Sequence, residues 1–254
     1  MKILITGAAG FLGRGIRGPF EAAGHALRLM DVVPIHSSPH ETVVGDVSDY
    51  AQVEAATGGV DGVVIAHMAP RGEKDVNYKT PAMPFDINVK GTANLFHAAA
   101  ACGVRRVVVI SSTAAIIENP PTPTKVYDRA APLRSKGYYG LTKALQEVIA
   151  EQFARTHEMA VACLRVGYVL DGDANVDKYG NPVREINFMD TDRRDIGEVA
   201  RLCLELPDLT YDVFHVMSTA EALTRADLQY TCDRLNWKPK HDFSWLAAPG
   251  TTGT

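Results

Sequence analysis

The stretch Thr6-Gly7-Ala8-Ala9-Gly10-Phe11-Leu12-Gly13 restricts what this chain can become more than any other. It follows Lys2–Thr6, a short apolar run that reads as a buried strand, and opens a helical pattern over Phe11–Ala23. Glycines spaced this way at a strand-to-helix turn have separate tasks. Gly7 permits the tight turn, Gly10 lets a pyrophosphate approach the backbone, and Gly13 lets helix and strand pack closely. The helix start then offers unpaired N–H groups and a positive dipole end to phosphate oxygens. A bare glycine triplet is a weak sign, but this one sits where a dinucleotide-binding turn must sit. Phe11 and Leu12 are expected beside the cofactor with the three glycines.

Strands alternate with helices along the remaining chain. Strands are predicted over His25–Asp31, Glu41–Val47, Val60–His67, Val104–Ser111, Met159–Val166 and Val213–Val216. Helices are predicted over Asp49–Ala56, Met83–Cys102, Lys136–Thr156, Arg194–Leu206 and Arg225–Leu235. Pro19 is an awkward guest in the first helix. Glu118–Arg134, with four prolines, reads as a loop over the sheet. The alternation predicts an α/β fold of Rossmann type, a doubly wound parallel sheet covered on both faces. Residues 1–170 would form the dinucleotide-binding domain, completed by about 194–218. Residues 171–193 and 219–254 would form a small substrate-binding cap.

Charge and composition remove several function classes. The 26 Lys and Arg are outnumbered by 30 Asp and Glu, a net charge of −4, which leaves no duplex-sized basic face for nucleic acid. No window approaches the roughly 20 apolar residues of a membrane span. The first apolar run is too short for a signal-peptide core. Cys102, Cys163, Cys203 and Cys232 are far apart and read as reduced core thiols, so a cytoplasmic protein is expected. His36 and His40 are separated by Pro39 in a Ser/Pro-rich loop, and no metal site is expected.

Asp31 closes the second strand, 18 residues after Gly13. A carboxylate there accepts hydrogen bonds from ribose hydroxyls and repels a 2′-phosphate, which favours NAD over NADP. Arg14 and Arg28 are the nearby cations that would argue the other way. Asp46-Val47 follows the third strand. Asp46 could accept from the adenine amino group, or simply cap the next turn.

A second constellation belongs to chemistry. In Tyr138-Tyr139-Gly140-Leu141-Thr142-Lys143, Tyr139 and Lys143 are four apart and share a helix face. A phenol of pKa near 10 is a poor base at pH 7, and a nearby ammonium would lower it. Ser111-Ser112-Thr113 ends the fifth strand, where ligands of open α/β sheets bind. A hydroxyl there can hold the oxygen from which Tyr139 takes a proton. Asn88 lies on the helix passing beneath this site, placed to bind backbone or a buried water.

Together these residues resemble the extended short-chain dehydrogenase/reductase family, of the NAD-dependent epimerase/dehydratase type. The shared pattern comprises Gly7, Gly10, Gly13, Asp31, Asp46-Val47, Asn88, Ser111-Ser112, Tyr139, Lys143 and Arg165. The resemblance implies NAD as cofactor and Ser112, Tyr139 and Lys143 as catalytic residues. Tyr139 would be the acid/base, and Lys143 would bind the nicotinamide ribose. It also implies cofactor contacts at His67, Met68, Ala69, Asn88, Ser111 and Val166. Ser112 is followed by Thr113 and Ala114, without the Asp-Glu pair of the family's dehydratases. Length and the short middle segment are similar to the uronate dehydrogenases, which oxidise a free hexuronic acid at C1. Those enzymes carry Asn-His where Thr113-Ala114 stands here.

The resemblance thus implies an NAD-dependent oxidoreductase taking a hydride from a hydroxyl carbon of a small sugar or sugar acid. Arg71, Ser112, Thr113, Tyr139, Tyr168 and Arg184 are the expected substrate contacts, with Lys178 and Arg193 as further candidate cations. A sugar epimerase that retains its NAD is the alternative, and a non-catalytic NAD sensor a third reading. Helices matching Met83–Cys102 and Lys136–Thr156 often pair across a dimer in this family. A homodimer is therefore expected, using Leu95, Phe96, Val148 and Ile149.

Overall fold

A computed structural model describes residues 1–121 and 126–243. Four residues of the predicted loop (122–125) and the end of the predicted cap (244–254) lie outside the described residues. The main sheet is built from β1 (Lys2–Thr6), β2 (Ala26–Asp31), β3 (Glu41–Val44), β4 (Gly62–Ile65), β5 (Arg106–Ser112), β6 (Ala160–Val166) and β10 (Tyr211–Val216). Their spatial order is β10-β6-β5-β4-β1-β2-β3, and every pair is parallel. The chain winds outward in one direction from β1 and in the other from β4. A crevice opens at that switch, outside the carboxyl ends of the strands.

The strands are apolar on both sides because both faces are covered. Their side chains divide with period two. Ile3, Ile5, Val108 and Ile110 join Ile16, Phe20, Ile196 and Phe214 in one buried cluster. Leu4, Val107 and Val109 join Val53, Leu95, Phe96 and Ala150 in the other. The first face is covered by α1 (Phe11–Ala22) and α6 (Arg193–Glu205). The second is covered by α2 (Tyr50–Thr57), α4 (Gly91–Ala101) and α5 (Gly137–His157). Pro19 stays inside α1, in its last turn.

Several elements differ from expectation for local reasons. The third strand stops at Val44: Gly45 N–H still makes the ladder bond to the Asp31 carbonyl at 2.9 Å, but the next N–H, of Asp46, goes to the Gln52 side chain at 2.8 Å. The helix expected over Met83–Cys102 is interrupted. It starts as α3 (Ala82–Pro84), passes through a π-helical turn at Phe85–Lys90 and continues as α4. Such turns concentrate at functional sites, and this one carries the buried Asn88. The final helix divides into α7 (Ala222–Arg225) and α8 (Leu228–Leu235). Ala226 between them is extended and bridges Tyr127, so the helix cannot run through.

Cys102 is exposed at the end of α4, unlike the three buried cysteines. Leu95 and Phe96 are fully buried in the core and are not available to a dimer partner. No helix among the described residues is long and apolar enough to cross a membrane. After β6 the chain forms a second, three-stranded sheet. β7 (Tyr168–Asp171) pairs antiparallel with β8 (Val176–Asp177) and parallel with β9 (Asp190–Asp192). These strands are too short to show a period in the sequence.

Candidate active site

One cavity of about 730 Å³ runs along the crevice from the glycine turn to the start of α5. At its nucleotide end the wall is backbone. Gly7 has a φ of +68°, and a Cβ on it would lie 2.7 Å from the His67 Cα. A Cβ on Gly13 would lie 2.2 Å from the Gly7 carbonyl oxygen. No other residue fits either place, so α1 starts hard against β1 and its first N–H groups face the cavity. Gly10, Phe11 and Leu12 line the same end. Asp31 fastens the turn: one carboxylate oxygen accepts from Ala9 N–H at 2.9 Å, the other from Val33 N–H at 3.2 Å. It also lines the cavity, where a ribose would meet it.

The cations that could argue for a 2′-phosphate are engaged elsewhere. Arg28 donates to the carbonyls of Ala56 and Gly58 and pairs with Glu41 at 2.8 Å. Arg14 reaches back to the Ala9 carbonyl at 2.7 Å. Asp46 takes the capping role. One of its oxygens accepts from Ser48 N–H at 2.8 Å, closing the turn before α2, and with Val47 it lines the cavity.

The middle of the wall comes from the end of β4. His67 and Met68 line it. The His67 ring is buried, and burial together with the Lys143 charge pulls its pKa down to about 3, so it is neutral. Its Nδ1 lies 3.0 Å from the Thr6 hydroxyl. Ala69 and Asn88 do not line the cavity; both are fully buried behind its wall. The Asn88 amide accepts from Ala69 N–H at 2.7 Å and donates to the Thr142 hydroxyl at 2.9 Å. It therefore ties the loop after β4 to α5, one residue from Lys143.

At the reacting end the wall is side chain. Tyr139, Lys143, Ser111 and Val166 all line the cavity. Tyr139 and Lys143 lie on the same face in the first two turns of α5. Ser112 is buried beside the Tyr139 phenol and does not itself line the cavity; its hydroxyl accepts from Ala114 N–H at 3.2 Å. Burial pushes the phenol above its ordinary value, while the Ser112 hydroxyl and the Arg71 guanidinium pull it back. The buried Lys143 ammonium donates to the Ile110 carbonyl at 2.8 Å. Burial lowers its pKa to about 8, opposed by Glu147 one helical turn on.

Glu147 is itself buried and holds the site's floor. It accepts from the Ser111 hydroxyl at 2.6 Å and pairs with the buried Arg165 at 2.8 Å. Sequence reading left Glu147 unassigned, although its place four residues after Lys143 was a usable signal. Tyr78 was also missed. It packs edge-on against Tyr139, with ring centres 5.9 Å apart, and donates to the Ala69 carbonyl. Nothing local in the sequence marks it.

Among the expected substrate contacts, Arg71, Tyr168 and Lys178 reach the cavity, and Tyr179 joins them. Thr113 is buried and does not line it. Arg184 lines a separate, shallower depression with Asp177 and Asn187. Arg193 pairs with Asp171, donates to the Phe11 carbonyl at 3.3 Å and lies over the Phe11 ring, so it serves the fold.

The sequence profile of the NAD dependent epimerase/dehydratase family matches residues 3–171, two thirds of the chain. The protein belongs to that family. The family is NAD-dependent, and NAD is the dinucleotide that the glycine turn fits. Among similar proteins is a uronate dehydrogenase of Pseudomonas putida, 30% identical over 169 residues. That alignment covers 65% of this chain and 60% of the relative. An L-arabinose 1-dehydrogenase (NAD(P)(+)) of Haloferax volcanii is 28% identical over 82% of this chain and 84% of its own length. A short-chain dehydrogenase/reductase superfamily protein of Agrobacterium tumefaciens, solved with bound NAD, superposes with a TM-score of 0.81. It is 22% identical, with 97% of this chain and 94% of that one covered, and shows the common fold.

Proposed function

We propose that this family member oxidises a hydroxyl carbon of a small sugar or sugar acid. The observation that carries this is that Tyr139 and Lys143, one helical turn apart, line the same cavity as the glycine turn, with Ser112 buried beside the Tyr139 phenol. Ser112 holds the substrate oxygen. Tyr139 takes the hydroxyl proton as the carbon–oxygen bond becomes a carbonyl. The chemistry NAD supplies when bound is acceptance of the hydride. Lys143 lines the cavity as a cation held by Ile110, placed to bind the nicotinamide ribose and favour the phenolate. Asn88 and Glu147 position Lys143 from behind.

A small substrate is supported by what closes the cavity. Between β6 and α6 there are only the short strands of the second sheet and their loops. That is little chain with which to grip a nucleotide. NADH fluorescence over free sugars, sugar acids and nucleotide sugars tests the reading. NADH should accumulate with a free sugar or sugar acid. Interconversion of a nucleotide sugar without net NADH contradicts the proposal and supports the epimerase alternative. We also place a homodimer on the outer faces of α4 and α5, where Leu141 and Val148 remain exposed. A sedimentation run showing a monomer removes that part.

A further inference from the structure

The substrate end of the cavity carries more positive charge than a neutral sugar needs. Arg71, in the loop after β4, has its guanidinium carbon 4.7 Å from the Tyr139 ring centre and 5.6 Å from that of Tyr78. Its Nε is buried and has no hydrogen-bond partner among the described residues. Its carboxylate partner is Asp75, 3.0 Å from one terminal nitrogen and itself half exposed. Lys178 comes from the other wall, next to β8. Its ammonium stands 5.3 Å from the Tyr168 ring centre and 5.2 Å from that of Tyr179. No carboxylate of the described residues forms a salt bridge with it. Arg71 and Lys178 line the same cavity, where burial and the Arg71 charge lower the Lys178 pKa while Asp75 and its neighbour Asp177 raise it.

Like charges held in such a space call for an anion between them. Asp75 supplies one, acting on both Arg71 and Lys178. It does so from an awkward backbone. Lys74 and Asp75 have φ values of 49° and 56°, in the left-handed region that side chains disfavour. The glycine turn that would hold the cofactor's phosphates lines the opposite end of the cavity, so a different anion fits this pocket.

We propose that Arg71 and Lys178 form the pocket for a carboxylate on the substrate. Asp75 is its internal stand-in and gives up Arg71 when the substrate carboxylate arrives. One carboxylate replaces another at constant charge, which fits a singly charged sugar acid better than a sugar phosphate. The inference rests on the oxidoreductase reading for the sugar itself and names its class.

The test reads binding apart from turnover. Protein loaded with NADH is titrated by calorimetry with a hexuronate, the matched neutral hexose and the hexose phosphate. The hexuronate should bind most tightly. Arg71→Met and Lys178→Met should each weaken it by about tenfold or more, and Arg71→Lys should retain most of the affinity. Asp75→Asn should tighten hexuronate binding, a gain that misfolding cannot produce. Equal affinity for the hexose, tighter binding of the phosphate, or weaker binding in Asp75→Asn overturns the proposal. Separately, hexuronate binding in this pattern without NADH formation under any condition keeps the pocket and removes the oxidoreductase reading. NADH formation from neutral sugars alone does the reverse.

Discussion

The two ends of the cavity are made of different material. At the nucleotide end, backbone forms the wall, and glycines exist there because a Cβ would strike another backbone atom. At the reacting end, side chains form the wall, drawn from the ends of β4, β5 and β6, from α5 and from the second sheet. The first is a steric arrangement fixed within about a dozen consecutive residues. The second is electrostatic, and its pieces lie more than a hundred residues apart, from His67 to Tyr179. Removing an atom does most harm at the reacting end, and adding one does most harm at the nucleotide end.

Four substitutions or conditions sharpen that contrast. The largest loss of stability is expected for Glu147→Gln, which leaves Arg165 charged, buried and short of its partner. Breaking such a pair costs about 3–5 kcal/mol, so the denaturant midpoint should fall steeply. A midpoint near that of the unaltered protein would mean the floor of the reacting end does not depend on this pair. At the other end, Gly13→Ala places a methyl group against the Gly7 carbonyl oxygen and the Ala8 backbone. Such crowding costs roughly 1–3 kcal/mol. NAD affinity should drop with it, since the turn must open, and fluorescence titration measures this. Unchanged affinity would break the steric account of that end.

Two buried histidines, His67 in the wall and His215 on β10 outside it, predict a pH dependence. His67 and His215 are buried and neutral, with pKa values pulled by burial to about 3. The unfolded chain binds protons near pH 6.5 while the folded chain does not. Stability should therefore be full above pH 6.5 and fall as pH drops from 6.5 towards 3. Each histidine contributes about 1.4 kcal/mol per pH unit in that window. Thermal melts from pH 7 to 5 should show a shallower slope for His215→Gln than for the unaltered protein, and an identical slope would contradict the assignment. The smallest expected effect is the control for Gly13. Gly18 lies on the exposed side of α1, with nothing beyond its own helix within 4 Å of its Cβ position. Gly18→Ala should change stability by less than about 1 kcal/mol, because the Pro19 ring crowding its Cβ offsets the helix gain, and leave NAD affinity unchanged.

The same contrast explains what could be read from the sequence. Gly7, Gly13 and Asp31 were legible because local spacing states their geometry. Tyr139 and Lys143 were legible because one helical turn brings them to one face. Asn88 was placed on the right helix, but its direction was not, since a π-helical turn rotates it behind the wall towards Thr142. Thr113 and Arg184 were expected at the substrate, yet one is buried at the end of β5 and the other faces a neighbouring depression. Both depend on where loops settle after the sheet forms. The approach of Lys178 and Tyr179 to Arg71 required the second sheet, whose strands of two to four residues carry no periodic signal, and Tyr78 comes from an irregular segment after β4 that carries none either.

The central claim is that Tyr139 moves the proton in an oxidation for which NAD takes the hydride. Tyr139→Phe removes one oxygen and keeps the ring against Tyr78 and Arg71. Single-turnover NADH formation by this variant, with NAD affinity measured in parallel, tests the claim most directly. The expected result is a loss of about 10²–10⁴-fold in the rate with NAD binding unchanged. A rate within a few-fold of the unaltered protein would contradict it.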